Sequence, residues 1–542
     1  MGGRLRSVGV DFGTTTSLLA EGAANRQPLV LPLGRTTRYL PSVFGLDDQN
    51  RMLFGDDATG LAPARVRRSV KQCITRNEDE IWLEDGSLLS ADDGIRGILA
   101  AIAVNARVGG ADLSPETTRL GCPAMWTGGQ RQRLLDLASQ AGLPVTDHTL
   151  IDEPVAAGVA WVQRQRSLNR DVAGKLLVFD MGGGTLDVAL LDVVSEMGHD
   201  PEISVLSSWG IDEAGDSLDD AIAAELERDL VDLGVDVEKV RRAGGLLEAA
   251  RQAKLHLSDR SDTVVAVPVP PGASVPQLSY ERAQLEVAFA PQLRRAQDLI
   301  WSVLRGARVT QEVQLKSYEI RQLAREDLAK DVDFVLLAGG MSRVPALARL
   351  IERLFPGVEL HTDVGAPADE AIVMGLAETT AYERVNLHRP PFSFVLEYVD
   401  AERHVSIPVY DAYSPFYPPY FAMQRDVLYH EWRGSRGQLP QRGYGLLRVY
   451  RPGGEGLDLK FESDDHQGAV LVAFGHHPPA VLIYPNGKVT ISDGVGRTTS
   501  FRIPRWPVIR GHDHAYLQAR KVERSSRPEI TRAWFKDPLF LH

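Results

Sequence analysis

The chain has 542 residues, of which 44% are hydrophobic, enough to fill several cores, and a formal net charge of -12. That acidic balance argues against a protein that coats nucleic acid or an anionic membrane, because phosphate would repel it on average. Cys73 and Cys122 lie far apart and outside any C-x-x-C pattern, so neither a disulfide framework nor a zinc ribbon is expected. The first residues, MGGRLRS, form no charged-then-apolar leader and place Arg6 where a myristoylation signal wants Ser or Thr. With no apolar run of about eighteen residues either, a cytoplasmic protein is expected.

In chain order, the first element is VGVDFGTTTS (8–17), an apolar strand running into Asp11, Gly13 and the hydroxyls of Thr14, Thr15 and Thr16. A carboxylate, open backbone N–H groups and hydroxyl donors at one point suit phosphate and a divalent cation. A Thr-rich hairpin turn is the plain alternative. The same device returns in KLLVFDMGGGTLDVALLDV (175–193), where an apolar run reaches Asp180, then Gly182, Gly183, Gly184 and Thr185, then Asp187 and a second apolar run. This predicts a β-hairpin whose tip is nearly all backbone, with no Cβ to keep amides off an anion. Two Asp-tipped hairpins predict duplicated halves facing each other across a cleft, with two phosphate loops and two carboxylates around one cation. Other nucleotide motifs fail. Neither loop has P-loop spacing, Asp11-Phe12-Gly13 lacks the remaining kinase motifs, and no G-x-G-x-x-G opens a helix after a strand.

Farther along, YERAQLEVAFAPQLRRAQDLIWSVLRGARV (280–309) repeats apolar residues at three and four, which predicts long amphipathic helices. After about Asn386 the helical period fades and Pro and aromatic residues rise. FSFVLEYV, RHVSIPVY, GLLRVYR, LDLKF and AVLIYPNGKVTISD read as strands, the last a hairpin turning on Asn486-Gly487. His476, His477, His512 and His514 fit no zinc spacing and are expected in surface loops. The aromatic stretch YSPFYPPYF (413–421) reads equally as core, as an ordered Pro-rich loop or as a protein-binding patch.

VGVDFGTTTS, IDEPVAAGVA (151–160), LLVFDMGGGTLDV, AGDSLDD (214–220), VLLAGGMSRVPAL (335–347) and ADEAIVMGLA (368–377), taken in that order, resemble the nucleotide-binding domain of the DnaK-type heat-shock-70 chaperones, within the actin and sugar-kinase superfamily. The resemblance spans roughly residues 5–385. It implies an α/β, two-lobed actin-like ATPase fold with duplicated β-sheet cores, lobes at 1–175 and 176–385, and ATP or ADP with Mg2+ in the cleft. A C-terminal β-rich, sandwich-like domain would follow at 386–542. By the same resemblance Asp11 and Asp180 hold magnesium through water, while Gly13, Thr14 and Thr15, then Gly182, Gly183, Gly184 and Thr185, form the phosphate loops. Glu153 orders the attacking water, and Lys71, at the family's spacing from Pro63, is the catalytic lysine; a basic helix face with Arg65, Arg67 and Arg68 is its alternative reading. Gly215, Lys254, Ser258, Gly339, Gly340, Arg343 and Asp369 fall on nucleotide-contacting positions. Arg251, Leu255 and Met341 depart from the family, which usually has Glu, Arg and Ser there, and weaker or less selective nucleotide binding is expected.

Two departures bear on mechanism. The junction AYERVNLHRPPFSF lacks the family's Leu-rich acidic linker, and the roughly fifty residues after the last hairpin, broken by Pro504, Pro507, Pro528 and Pro538, are too short for a helical lid. Pro123 and Arg131 do match the family's interdomain relay. The leading reading is a heat-shock-70-like, slow ATPase, chaperone-like or adaptor, whose nucleotide state changes how the C-terminal domain grips a client protein, with co-chaperones as further partners. An actin-like assembly protein, or a nucleotide sensor or scaffold with little hydrolysis, stands beside it.

Overall fold

The computed structural model describes residues 6–521 except 25, 147–148, 238–239, 241–244, 268–276, 312–316, 380–382, 387–388, 417–428, 436, 452–453, 462–467, 485–486 and 504–515. Two six-stranded sheets share one strand plan. In the first, Leu150–Asp152, Thr118–Cys122, Arg6–Phe12, Thr16–Ala23 and Arg26–Leu31 lie side by side, parallel as far as Arg6–Phe12 and antiparallel beyond it. In the second, Glu359–His361, Phe334–Ala338, Val172–Met181, Leu186–Ser195 and Glu202–Ile211 repeat that order and those directions. A sixth strand, Glu383–Asn386, joins the second sheet parallel to Glu202–Ile211.

The apolar runs that flank each aspartate are the central hairpins of these sheets. Val8, Val10 and Phe12 are buried in one core, and Leu177, Phe179 and Val188 in another. Burial is unbroken over residues 7–12, 176–181 and 186–191 of these hairpins, as expected where helices cover each face of a sheet. The long helix Arg282–Gln311, with Pro291 inside it, supplies part of that cover for the second sheet, and Ala91–Val108 packs in the first core.

Between the sheets, helices Glu153–Ser167 and Ala371–Leu376 cross each other. They approach so closely that a Cβ on Gly375 would overlap the backbone oxygen of Ala156. This crossing sets the two halves face to face.

Residues beyond Ser393 form a ten-stranded β-rich domain. The expected strands are present as Ser393–Asp400, Arg403–Tyr410, Tyr444–Tyr450, Gly456–Phe461, and the hairpin of Ala480–Ile483 with Lys488–Ser492. Gly487 turns with φ +76, while Asn486 lies outside the described residues. Four more strands were not legible in the pattern: His430–Arg433, Val470–Ala473, Thr498–Arg502 and Tyr516–Lys521. Tyr516–Lys521 closes the arrangement by pairing with Gly456–Phe461 on one side and Thr498–Arg502 on the other. Alternate residues of both halves, such as Phe394, Leu447, Leu459, Val489 and Phe501, meet in an apolar core continuous with that of the second sheet. Among the described residues no helix is long and apolar enough to cross a membrane.

Candidate functional site: a carboxylate cluster between two glycine loops

Both aspartates occupy the same place in their sheets, one residue before the end of the central strand. The parallel neighbours end there too, at Cys122 and Asp152 in one sheet and at Ala338 in the other. Carboxyl ends of parallel strands are where open α/β sheets place ligands.

The two loops touch. A Cβ on Gly183 would collide with the Thr15 hydroxyl, and one on Gly184 would come within 2.7 Å of the Thr14 methyl and 2.9 Å of the Gln72 amide. Only glycine permits that approach. The Gly182 N–H donates to Thr185 O at 3.1 Å and closes the tip, and Gly215 N–H donates to Gly182 O at 3.1 Å. Gly339, at φ +77, packs against the Met181 backbone and the Asp180 carboxylate. Gly13, Thr14, Thr15, Gly182, Gly183, Gly184, Thr185, Gly215 and Gly339 therefore gather around Asp11 and Asp180.

Lys71 and Glu153 complete the cluster. Lys71 opens helix Lys71–Arg76 and Glu153 opens Glu153–Ser167; both are buried, with the ammonium 2.5 Å from the carboxylate. The reading of Lys71 as one of a row of surface cations fails here. Arg65, Arg67 and Arg68 are the surface cations, paired with Asp85, Glu78 and Glu248. Burial pulls the Lys71 ammonium down, but the attraction of Glu153 and Asp11 outweighs it and leaves it raised.

The carboxylates are crowded. Burial, then the charge of Glu153, pushes Asp11 up to about 7 and Asp187 to about 7, and raises Asp180 well above its ordinary range. Asp187 is the residue the sequence reading passed over. It is the direct cross-strand partner of Asp180 in the hairpin, and that pairing was available from the spacing alone. One Asp180 oxygen has no hydrogen-bond partner among the described residues. Buried carboxylates held this close with an oxygen unsatisfied suit a cation. Among the described residues no group of three or more His, Cys, Asp or Glu is placed to hold a metal ion directly.

Toward the mouth of the cleft the arrangement differs from the expected one. Lys254 Nζ lies 2.7 Å from the buried Asp219 carboxylate and 3.0 Å from Gly215 O, and the Ser258 hydroxyl donates back to Lys254 O within its own helix. Arg251 reaches Asp216 and Asp219 at 3.5 and 3.4 Å. Arg343 pairs with Asp369 at 2.9 Å, and Asp369 also accepts from the Tyr39 hydroxyl at 3.0 Å. A Cβ on Gly340 would meet open space. His476 and His477 are exposed, as expected, while His512 and His514 lie outside the described residues.

Residues 114–384 match the family model described as "Hsp70 protein". The chain belongs to the heat-shock-70 family. It is similar to the "Chaperone protein DnaK" of Deinococcus radiodurans, 30% identical over 413 residues, which is 69% of this chain and 59% of that protein. The "Chaperone protein dnaK1" of Synechocystis sp. is 29% identical over 400 residues, 68% of this chain and 53% of that protein. The "Chaperone protein dnaK" of Phaeodactylum tricornutum is 29% identical over 402 residues, 68% and 60% of the two chains. This heat-shock-70 chain thus spans between about half and three-fifths of the length of those relatives. The first loop and Lys71 lie ahead of the segment matched by the family model.

Proposed function

We propose that this chain is a slow, Mg2+-dependent ATPase of the heat-shock-70 type, in which nucleotide state modulates how the C-terminal β-domain holds a protein partner in the cytoplasm. The buried Lys71–Glu153 pair, set among Asp11, Asp180 and Asp187 beneath two touching glycine loops, carries this reading. Phosphoryl transfer asks a protein mainly to position the nucleophile and to spread positive charge over the phosphoryl oxygens. Lys71 would supply that charge and Glu153 would orient a water, while the open amides of the two loops bind the phosphates. Asp11 and Asp180 would hold Mg2+ through water. The cation would offset phosphate charge there.

One observation favours a second reading, a nucleotide sensor with little hydrolysis. Lys254 and Arg251 are engaged by Asp219 and Asp216, so the sugar side of the cleft offers fewer free donors than the family pattern implies. Thermal unfolding with Mg-ADP or Mg-ATP tests the binding claim shared by both readings. A ligand at a hundredfold excess over Kd adds about 2.7 kcal/mol of stability. No rise in Tm at millimolar nucleotide would remove the site assignment. For the partner claim, peptide affinity is measured with ADP and with ATP; a change of tenfold or more supports coupling, and equal affinities support a constitutive adaptor.

A further inference from the structure

Helix Glu153–Ser167 starts at the carboxylate cluster and ends, about 20 Å away by helical rise, beside a cavity of about 340 Å³. Residues 26–28 of the first sheet, the last two turns of the helix (160–167) and Val364 of the second half wall it, with Met374 of the crossing helix and Glu378 just beyond that helix. A second hollow, of about 360 Å³, shares Gln27 and Arg164 with the first and is walled by the loop 362–367. That loop follows strand Glu359–His361, at the edge of the second sheet opposite the junction strand Glu383–Asn386.

The backbone of that loop is shaped for the approach. Gly365, at φ +87, accepts at its carbonyl from the Gln27 amide at 3.1 Å, and a Cβ there would stand 2.3 Å from the same amide nitrogen and 3.6 Å from Arg164 Cδ. The Asp363 carboxylate accepts from the Gly365 N–H at 2.6 Å. Three guanidiniums, Arg26, Arg164 and Arg166, and one carboxylate, the buried Glu378, line the first cavity of a chain whose net charge is -12. Arg166 is fixed, donating to His199 O at 2.8 Å and to the Ser195 hydroxyl at 3.4 Å. Arg164 is half-buried, and among the described residues neither it nor Arg26 has an ion-pair partner. Beneath them lie the buried apolar side chains of Ala160, Val364 and Met374. A partly desolvated guanidinium gains most from an anion that meets its planar fork with two oxygens. The volume falls in the range of small-molecule sites, about 300–1,000 Å³.

We propose that this cavity binds a small organic oxyanion, whose phosphate or carboxylate group sits on Arg164 between Arg26 and Arg166 and whose apolar part lies on Val364 and Met374. The walls come from both halves of the nucleotide-binding region, so a bound ligand bridges them at the end away from the glycine loops. The site stands independently of the ATPase reading.

The test titrates the full chain with phenyl phosphate, benzoate and inorganic phosphate at fixed ionic strength, by calorimetry and by Tm, with Mg-ADP present to keep the probes out of the glycine loops. Phenyl phosphate or benzoate is expected to bind and to raise Tm, and which of the two binds tighter separates a phosphate ligand from a carboxylate. Inorganic phosphate, which leaves the apolar wall unused, is expected to bind more weakly than phenyl phosphate. Arg164→Gln removes the unpaired charge and is expected to weaken the organic probe by about tenfold or more, with Mg-ADP affinity unchanged. Arg164→Lys keeps the charge without the fork; it is expected to weaken the probe less, and it decides the matter should the glutamine chain not fold. No binding of either organic probe at millimolar concentration, wild-type affinity in both Arg164 variants, or an equal fall in probe and Mg-ADP affinity overturns the proposal. Inorganic phosphate binding as tightly as phenyl phosphate overturns the apolar half of it.

Discussion

Replacing Arg251 by glutamate, the residue usual in the family at that position, is expected to destabilise this chain instead of restoring a nucleotide contact. Asp219 is fully buried; Lys254 lies 2.7 Å from it and Arg251 3.4 Å, with Asp216 on the other arm of the guanidinium at 3.5 Å. Asp216 is also held by the Ser69 hydroxyl. Burial pushes the Asp219 carboxyl up, and Lys254 and then Arg251 draw it back. Arg251→Glu removes one of two cations and adds a third carboxylate. Breaking a buried ion pair costs about 3–5 kcal/mol. The contacts are long and the Arg251 side chain keeps 14% of its exposure, so the low end, about 3 kcal/mol, applies. For a cooperative unit of about 150–250 residues this lowers Tm by roughly 6–12 °C. Circular dichroism melts of Arg251→Glu and Arg251→Gln, with and without Mg-ADP, measure it, and the glutamine change is expected to cost less. Adding Asp219→Asn to Arg251→Glu is expected to recover part of the loss. An unchanged or higher Tm together with tighter ADP binding would refute the reasoning.

Gly375→Ala is expected to cost about 1–3 kcal/mol, because its methyl meets the Ala156 backbone oxygen and neither helix can yield locally; a urea midpoint equal to that of wild type would contradict the described crossing. The pH dependence has a definite sign. Asp11 and Asp187 sit at about 7 in the folded chain, raised above their unfolded values, so their contribution to stability is full below about pH 4 and is lost as pH rises through about 7. Cation-free Tm is therefore expected to fall over that window through these groups, and the rise in Tm given by Mg-ADP is expected to be larger at pH 8 than at pH 5.5. Asp11→Asn should flatten both trends, and a larger Mg-ADP shift at the lower pH would contradict them.

The parts of the site that were legible in the sequence are those whose chemistry is local. A strand ending in Asp and followed by glycines and hydroxyls is written in consecutive residues, and its repetition foretold the duplicated sheets. Lys71 was implied by the family resemblance, at the family's spacing from Pro63, although its neighbours Arg67 and Arg68 argued for a surface helix; its burial against Glu153, 82 residues away, is a tertiary fact. Asp187 was within reach of the hairpin pattern. Gln27, Arg164 and Gly365 were not, since no periodicity joins a strand of the first sheet, the end of a helix and a loop of the second half. The strands His430–Arg433, Val470–Ala473 and Thr498–Arg502 are only four or five residues long, and the first and last carry mostly polar or charged residues, so their local pattern is weak. Lys254 and Ser258 lie on one helix, Gly245–Asp259, where Asp219 of a neighbouring helix holds the lysine inward, and only the packing of two helices could have revealed that.

The central claim is that Lys71 and Glu153 act on a bound nucleotide, and single-turnover hydrolysis by Lys71→Ala, beside its affinity for Mg-ADP, tests it most directly. Removing one preorganised electrostatic stabiliser lowers a chemical step by about 10²-fold or more. The account predicts that loss in hydrolysis with Mg-ADP still bound and still raising Tm. Turnover equal to wild type in a folded, nucleotide-binding Lys71→Ala chain would contradict it.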